Sequence, residues 1–145
     1  MAGVIDTNIL LYGVIADADE HKVSAVFLEA AGRSSESWYL TEGICYEFLR
    51  VSTHPKVFKR PLRWTDAVGV LKSFWAADRF RVLLADSAHW RTLEDVLSRL
   101  THPAGNLFFD VRTVVLMRQH GIRRIYTRDT DFHRFPFLEP VDPVG

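Results

Sequence analysis

Apolar and polar positions alternate along the chain in a way that predicts strands and helices in turn. Val4-Ile5 reads as the end of a short buried strand. Asp6-Thr7-Asn8, followed by the apolar run Ile9 to Tyr12, reads as an abrupt strand-to-helix turn. From His21 to Ala31, the residues Val23, Val26, Phe27 and Ala30 recur at helical spacing. Trp38-Tyr39-Leu40 predicts a second strand. Thr41 can then cap a helix that runs to about Thr53 and stops before Pro55. Thr65 and Asp66 open another helix, which carries Val68, Leu71, Phe74 and Trp75. Val82-Leu83-Leu84 predicts a short strand, and Ser87 precedes a helix through Leu100. Asn106 caps a further helix to His120, closed by Gly121. Arg124 to Thr127 is strand-like, and Leu138 to Val141 adds an edge strand. This alternation predicts an α/β fold around a mainly parallel sheet. Such sheets place their sites at the carboxyl ends of the strands.

The chain has 145 residues with no repeat, low-complexity tract or Pro/Gly-rich linker, so 1–145 reads as one domain. A composition of 48% apolar and 25% charged residues is that of a folded globule and argues against disorder. The single cysteine, Cys45, excludes an intramolecular disulfide and a cysteine-built zinc site. It lies in an apolar helix, where a free cysteine reads as packing. A reducing, cytoplasmic setting is the simplest expectation. The start lacks a basic segment and long apolar stretch, which reads as no signal peptide, and no apolar run is long enough for a membrane span. The formal charge is zero, but residues 1–49 hold eight acids against two bases, and the remainder sixteen bases against ten acids. A chain-wide basic field for nucleic acid is excluded; a local basic surface is not.

Four acids stand in positions that invite chemistry. Asp6 follows the first strand directly, and Asp129 lies two residues beyond Thr127, so both belong to one carboxyl edge of the sheet. Each, taken alone, also fits a helix cap. Glu47 has Ile44 and Val51 at i−3 and i+4, which places it on or beside an apolar stripe, and Asp110 sits likewise between Leu107 and Val114. Local pairs offer the competing account: Glu47 with Arg50, and Asp110 with Arg112 or Thr113. Such pairs are weak. Inward carboxylates are costly unless a cation neutralises them. All-oxygen ligands select a hard divalent ion, Mg²⁺ or Mn²⁺, over zinc. No Walker loop, G-x-G-x-x-G, H-E-x-x-H or G-x-S-x-G is present, and the six histidines show no metal spacing. Trp38, Trp64, Trp75 and Trp90 read mainly as core, with Trp64 beside Arg60 and Arg63 as an alternative base-stacking residue.

The run Val4 to Tyr12, VIDTNILLY, resembles the opening of PIN-domain proteins, in particular the VapC toxins of bacterial toxin–antitoxin pairs. The resemblance continues in Glu47 to Thr53 with His54-Pro55, in Gly105 to Asp110, in His120-Gly121, and in Thr127 to Phe132 with Arg134-Phe135. These blocks stand in the family's order and cover nearly the whole chain. The resemblance implies a PIN-like fold, a central, mainly parallel twisted sheet with helices on both faces, and a metal-dependent endoribonuclease. It maps the catalytic acids onto Asp6, Glu47, Asp110 and Asp129. Asp6, Asp110 and Asp129 are the implied ligands of Mg²⁺ or Mn²⁺, and Glu47 holds metal or helps deprotonate the nucleophile. Asp131 is an auxiliary acid, Thr127 the small hydroxyl residue beside the acids, and Asn8 the supporting polar residue. Val111 departs from the alanine common after the third acid.

The same resemblance implies a structured RNA substrate such as a tRNA or ribosomal RNA, a cognate VapB-type antitoxin, and a homodimer. Exposed apolar residues of the second and third helices are available for the dimer. Arg112, Arg118, Arg123, Arg124, Arg128 and Arg134 crowd the C-terminal third with two of the acids, and among them Arg112, Arg128 and Arg134 are the expected RNA contacts. Two other classes compete. A phosphatase of the haloacid dehalogenase type wants a second Asp two residues after the first, where Asn8 stands. A non-catalytic regulatory or RNA-binding module with a receiver-like acidic pocket wants a late lysine, and no lysine follows Lys72.

Overall fold

Consecutive side chains of a strand point to opposite faces of the sheet. A strand buried at every position therefore lies between two layers, and β1 (Val4–Ile5) is buried at both. In the computed structural model, which describes residues 2–145, β1 is the central strand of a five-stranded sheet. On one side lie β2 (Trp38–Thr41) and then β3 (Phe80–Leu83); on the other lie β4 (Arg124–Tyr126) and then β5 (Glu139–Val141). Val4 stands opposite Tyr39 and Ile125, Trp38 opposite Phe80, and Tyr126 opposite Val141, and every pairing is parallel. The mainly parallel sheet expected is thus wholly parallel among the described residues.

The helices are α1 (Thr7–Val14), α2 (His21–Arg33), α3 (Glu42–Ser52), α4 (Trp64–Trp75), α5 (His89–Ser98) and α6 (Leu107–Gln119). α1 packs on α2 and α3, and α5 on α6. α6 buries Leu107, Val111, Thr113, Val114, Val115, Leu116 and Met117, which occupy all sides of the helix. A helix apolar all round belongs inside. Two caps fix the elements that carry the acids. Thr41 Oγ1 accepts from the Ile44 N–H at 3.1 Å and starts α3. α6 ends in a Schellman motif: Gly121 takes φ +68°, and the N–H groups of Gly121 and Ile122 donate to the carbonyls of Arg118 and Met117. Gly3 serves the sheet differently. A Cβ there would lie 2.4 Å from the Arg124 carbonyl oxygen, so its absence lets β1 and β4 approach closely.

The expectations shift at several boundaries. β3 begins at Phe80, two residues before the predicted Val82, and Leu84 falls outside it, exposed. Pairing with Trp38 and packing on Phe74, with ring centroids 4.9 Å apart, draw Phe80 in. Asn106 precedes α6, but its side chain makes no cap bond and its backbone is already helical. Of the four tryptophans expected mainly in the core, Trp38 is buried while Trp64, Trp75 and Trp90 are exposed. Those three sit in the terminal turns of α4 and α5, beyond the buried stretches of those helices. No helix among the described residues is long and apolar enough to cross a membrane.

Candidate active site

The chain leaves β1 toward β2 and β3, then crosses back to build β4 and β5 on the other side. The carboxyl ends of β1 and β4 therefore flank the point where the strand order reverses, which is where open parallel sheets form their crevices. Asp6 stands at the first of these ends and Thr127 to Asp129 at the second. The Asp6 N–H donates to the Tyr126 carbonyl at 3.0 Å, locking the two ends together.

Thr127 organises this junction. Its Oγ1 accepts from the Asp129 N–H at 2.9 Å and from Asn8 Nδ2 at 3.3 Å. With both lone pairs so occupied, the hydroxyl proton is directed to Asp6 Oδ2, 2.7 Å away. The capping roles are real as well: Asp6 Oδ1 accepts from the Thr7 N–H at 2.8 Å, and Asp129 Oδ1 from the Asp131 N–H at 2.9 Å. Capping and site chemistry are compatible, because a carboxylate accepts several hydrogen bonds. Asn8, where a phosphatase would want a second Asp, is used in orienting Thr127.

Glu47 from α3 and Asp110 from α6 face Asp6 across a cleft of about 310 Å³, also lined by Tyr46, Arg50, Phe109 and Arg112. On the far side, carboxylate oxygens of Asp110, Asp129 and Asp131 lie within 4.8 Å of one another. That trio includes Asp131, the expected auxiliary acid, while Asp6 stands beside it, tied to Thr127. The Asp110 carboxyl is pushed up to about 7, first by burial and then by the charges of Asp129, Asp6, Asp131 and Glu47. Asp6 is pushed up to about 6 by burial, against the hydrogen bonds from Thr127 and Thr7 and with added repulsion from Glu47 and Asp129. Hard oxygen donors crowded until they repel one another fit a divalent ion such as Mg²⁺ or Mn²⁺.

Glu47 departs from its expected inward position. Its side chain is 49% exposed and 3.9 Å from Arg50 Nη2. The buried stripe of α3 runs through Ile44, Cys45, Phe48 and Ser52, and Glu47 stands on its margin, toward the cleft. Cys45 is buried, and burial pushes its thiol up, as befits a packing residue. Of the three expected RNA contacts, Arg112 lines the cleft, 3.7 Å from Glu42. Arg134 is exposed and donates to the Thr101 carbonyl at 3.1 Å. Arg128 is engaged by two carboxylates, Glu20 at 3.4 Å and Asp142 at 3.2 Å, and so braces the start of α2 against the C-terminal segment. Sequence reasoning missed Tyr46, Arg50 and Phe109 as cleft residues. The signal available was that both aromatic residues directly precede an acid.

The model of the PIN domain family matches residues 3–138. Ribonuclease VapC24 of Mycobacterium tuberculosis is 33% identical over 142 residues, spanning 97% of this chain and 95% of its own. Ribonuclease VapC48 of the same species is 28% identical over 145 residues, spanning 100% of this chain and 99% of its own. Among solved structures, the sarcin-ricin loop cleaving toxin VapC20 of M. tuberculosis matches with a TM-score of 0.67 at 17% identity, over 94% of this chain and 98% of that one. VapBC2 from Rickettsia felis, bound to a DNA fragment from its promoter, matches with a TM-score of 0.67 at 16% identity, over 97% and 98%. At such identities the solved structures speak for the fold alone. The family match and the sequence relatives, which run nearly end to end, carry the assignment: the chain belongs to the PIN-domain family, among the VapC ribonucleases.

Proposed function

We propose that this ribonuclease is the toxin of a toxin–antitoxin pair, a metal-dependent endonuclease that cuts a structured RNA such as a tRNA or ribosomal RNA. The observation that carries the proposal is the convergence of Asp6, Glu47, Asp110, Asp129 and Asp131 on the strand-order reversal, with Asp6 and Asp110 pushed up by burial and mutual repulsion. Asp6, Asp110 and Asp129, with Asp131 beside them, would hold Mg²⁺ or Mn²⁺, which would supply an activated water and neutralise charge developing on the phosphodiester. Thr127 and Asn8 fix the Asp6 carboxylate. Glu47, on the open margin of the cleft, helps to deprotonate the nucleophile, a role that its exposure to the cleft supports. Arg112 and Arg134 meet RNA phosphates, whereas Arg128 acts mainly as a brace.

A VapB-type antitoxin silences the enzyme in the cytoplasm, a reading supported by the toxin–antitoxin complex among the structural neighbours. A second copy of the chain covers the exposed Val23 and Val26 of α2 in a homodimer. Incubating the purified protein with labelled tRNA and ribosomal RNA tests the core of the proposal. Cleavage with Mn²⁺ that disappears in EDTA is expected, and full activity in excess chelator overturns the metal mechanism. Mapping RNA ends after induction without antitoxin then identifies the target.

A further inference from the structure

The cleft holds two side chains to which the chemistry above gives no task. Tyr46 and Phe109 are each 72% exposed, although both belong to helices that bury most of their other apolar residues. One stands immediately before Glu47 on α3 and the other immediately before Asp110 on α6. Both line the same cleft as Asp6, Glu47 and Asp110. Among the described residues, neither ring stacks on another aromatic. Large apolar surface left in water beside a site marks a binding surface more often than chance.

The same cleft is lined by two cations. Arg50 and Arg112 touch Glu47 and Glu42 only at 3.9 and 3.7 Å, through exposed side chains. Such pairs are worth little and exchange readily for a phosphate. Rings beside guanidinium groups are what an unpaired nucleic-acid strand requires: bases stack on the rings, and phosphates meet the cations. A cleft of about 310 Å³ is at the small end of ligand sites. It suits a nucleotide drawn out of its stack, whereas a paired base keeps its faces against its neighbours.

We propose that Tyr46 and Phe109 are base-stacking platforms for the unpaired nucleotides on either side of the phosphate to be cut. This rests on the reading of the cleft as the site of RNA cleavage. Stacking tolerates every base, so the two rings hold the bases beside the cut and leave sequence preference to other contacts.

The test compares fluorescein-labelled oligo(A) with an abasic ribose-phosphate strand of equal length, binding to the Asp6→Asn protein in Mn²⁺. Tyr46→Ala and Phe109→Ala, added singly, are expected to weaken oligo(A) binding by about tenfold and to leave abasic binding within about twofold. Tyr46→Phe, which keeps the ring, should match the parent. Equal losses on both strands, or no loss on oligo(A), overturn the proposal while wild-type cleavage of RNA leaves the ribonuclease reading standing. Alanine variants that turn a dimer into a monomer, by light scattering, while keeping oligo(A) affinity also overturn it, because the rings then pack against a second copy. A parent that binds neither strand, together with wild-type protein that cuts no RNA in Mn²⁺, overturns both readings. Both side chains are exposed, so the variants should fold, and unchanged melting temperatures check this.

Discussion

The buried hydroxyl of Thr127 joins three parts of the site at once, since Asp6, Asn8 and the backbone of Asp129 all bond to it. Its proposed role is positioning, through its bond to Asp6. Thr127→Val keeps the shape and removes the donor from Asp6 and the acceptor from Asp129 and Asn8. Groups of this kind typically contribute about 10- to 100-fold to metal affinity. Buried partners left unsatisfied cost about 1–3 kcal/mol each at most. Thr127→Val should therefore weaken Mn²⁺ binding within that range and lower the unfolding midpoint in urea, while Thr127→Ser restores both. Mn²⁺ titration by calorimetry checks it; an unchanged affinity in the valine variant would mean that Thr7 and Asn8 suffice to hold Asp6.

At the scale of elements, the site depends on how α3 leaves the sheet. β2 ends at Thr41 and α3 begins at the next residue, so one side chain turns the chain and caps the helix. Thr41 is buried and its Oγ1 satisfies the Ile44 N–H. Thr41→Ala should destabilise the protein by about 1 kcal/mol, the usual worth of an N-cap. Thr41→Ser should lose much less. Because α3 carries Glu47, the alanine variant should also lose cleavage rate at saturating Mn²⁺ without losing Mn²⁺ affinity, which the proposed mechanism assigns to Asp6, Asp110 and Asp129. Urea denaturation and the Mn²⁺ dependence of cleavage separate the two effects. A fall in Mn²⁺ affinity equal to the fall in rate would place Glu47 among the metal ligands.

At the scale of the whole molecule, the acid cluster opposes the fold that assembles it. Asp6 and Asp110 rise from an ordinary 3.8 to about 6 and about 7, chiefly through burial. Between those values the native protein binds more protons than the unfolded chain, so metal-free stability should fall as pH rises from about 4 to 7 and level off above. A divalent ion that binds only the native cluster should reverse the loss by mass action. Asp110→Asn removes one charge; it should raise the melting temperature in EDTA at pH 7.5 or above, shrink the gain from Mn²⁺ and abolish cleavage. A variant that melts lower in EDTA with an undiminished Mn²⁺ gain would make Asp110 a structural residue. The halves of the chain, six net negative and six net positive charges, should also make RNA binding steeply salt-dependent despite a total of zero. Arg112→Gln should flatten the slope of log K against log salt by up to about one unit. Arg128→Gln, already paired with Glu20 and Asp142, should leave the slope unchanged and lower stability slightly.

The order of strands and helices, the caps at Thr41 and Gly121, and the placement of Asp6 and Asp129 at strand ends were legible in the sequence, because each depends on residues within a few positions of one another. Periodicity and capping are local properties, and the motif blocks carried the family. The start of β3 was not legible, since it is set by pairing with β2 and by Phe74. Nor was the exposure of Trp64, Trp75 and Trp90, because residue type gives a preference for burial while the cover comes from another element. Glu47 shows the same limit: its spacing put it beside the apolar stripe of α3, and only packing turned that margin into a cleft wall. The bond between Asn8 and Thr127 joins residues 119 positions apart. Arg128 reaches Glu20 across 108 positions and Asp142 across 14, and the approach of Asp131 to Asp110 joins the short 3-10 helix Thr130–Arg134 to α6. The sequence determined which side chains could hold charge, cap or stack. Tertiary structure alone decided which of them meet, because a carboxylate acquires its neighbours, its burial and its raised pKa only when β1, β4, α3 and α6 close around one edge of the sheet.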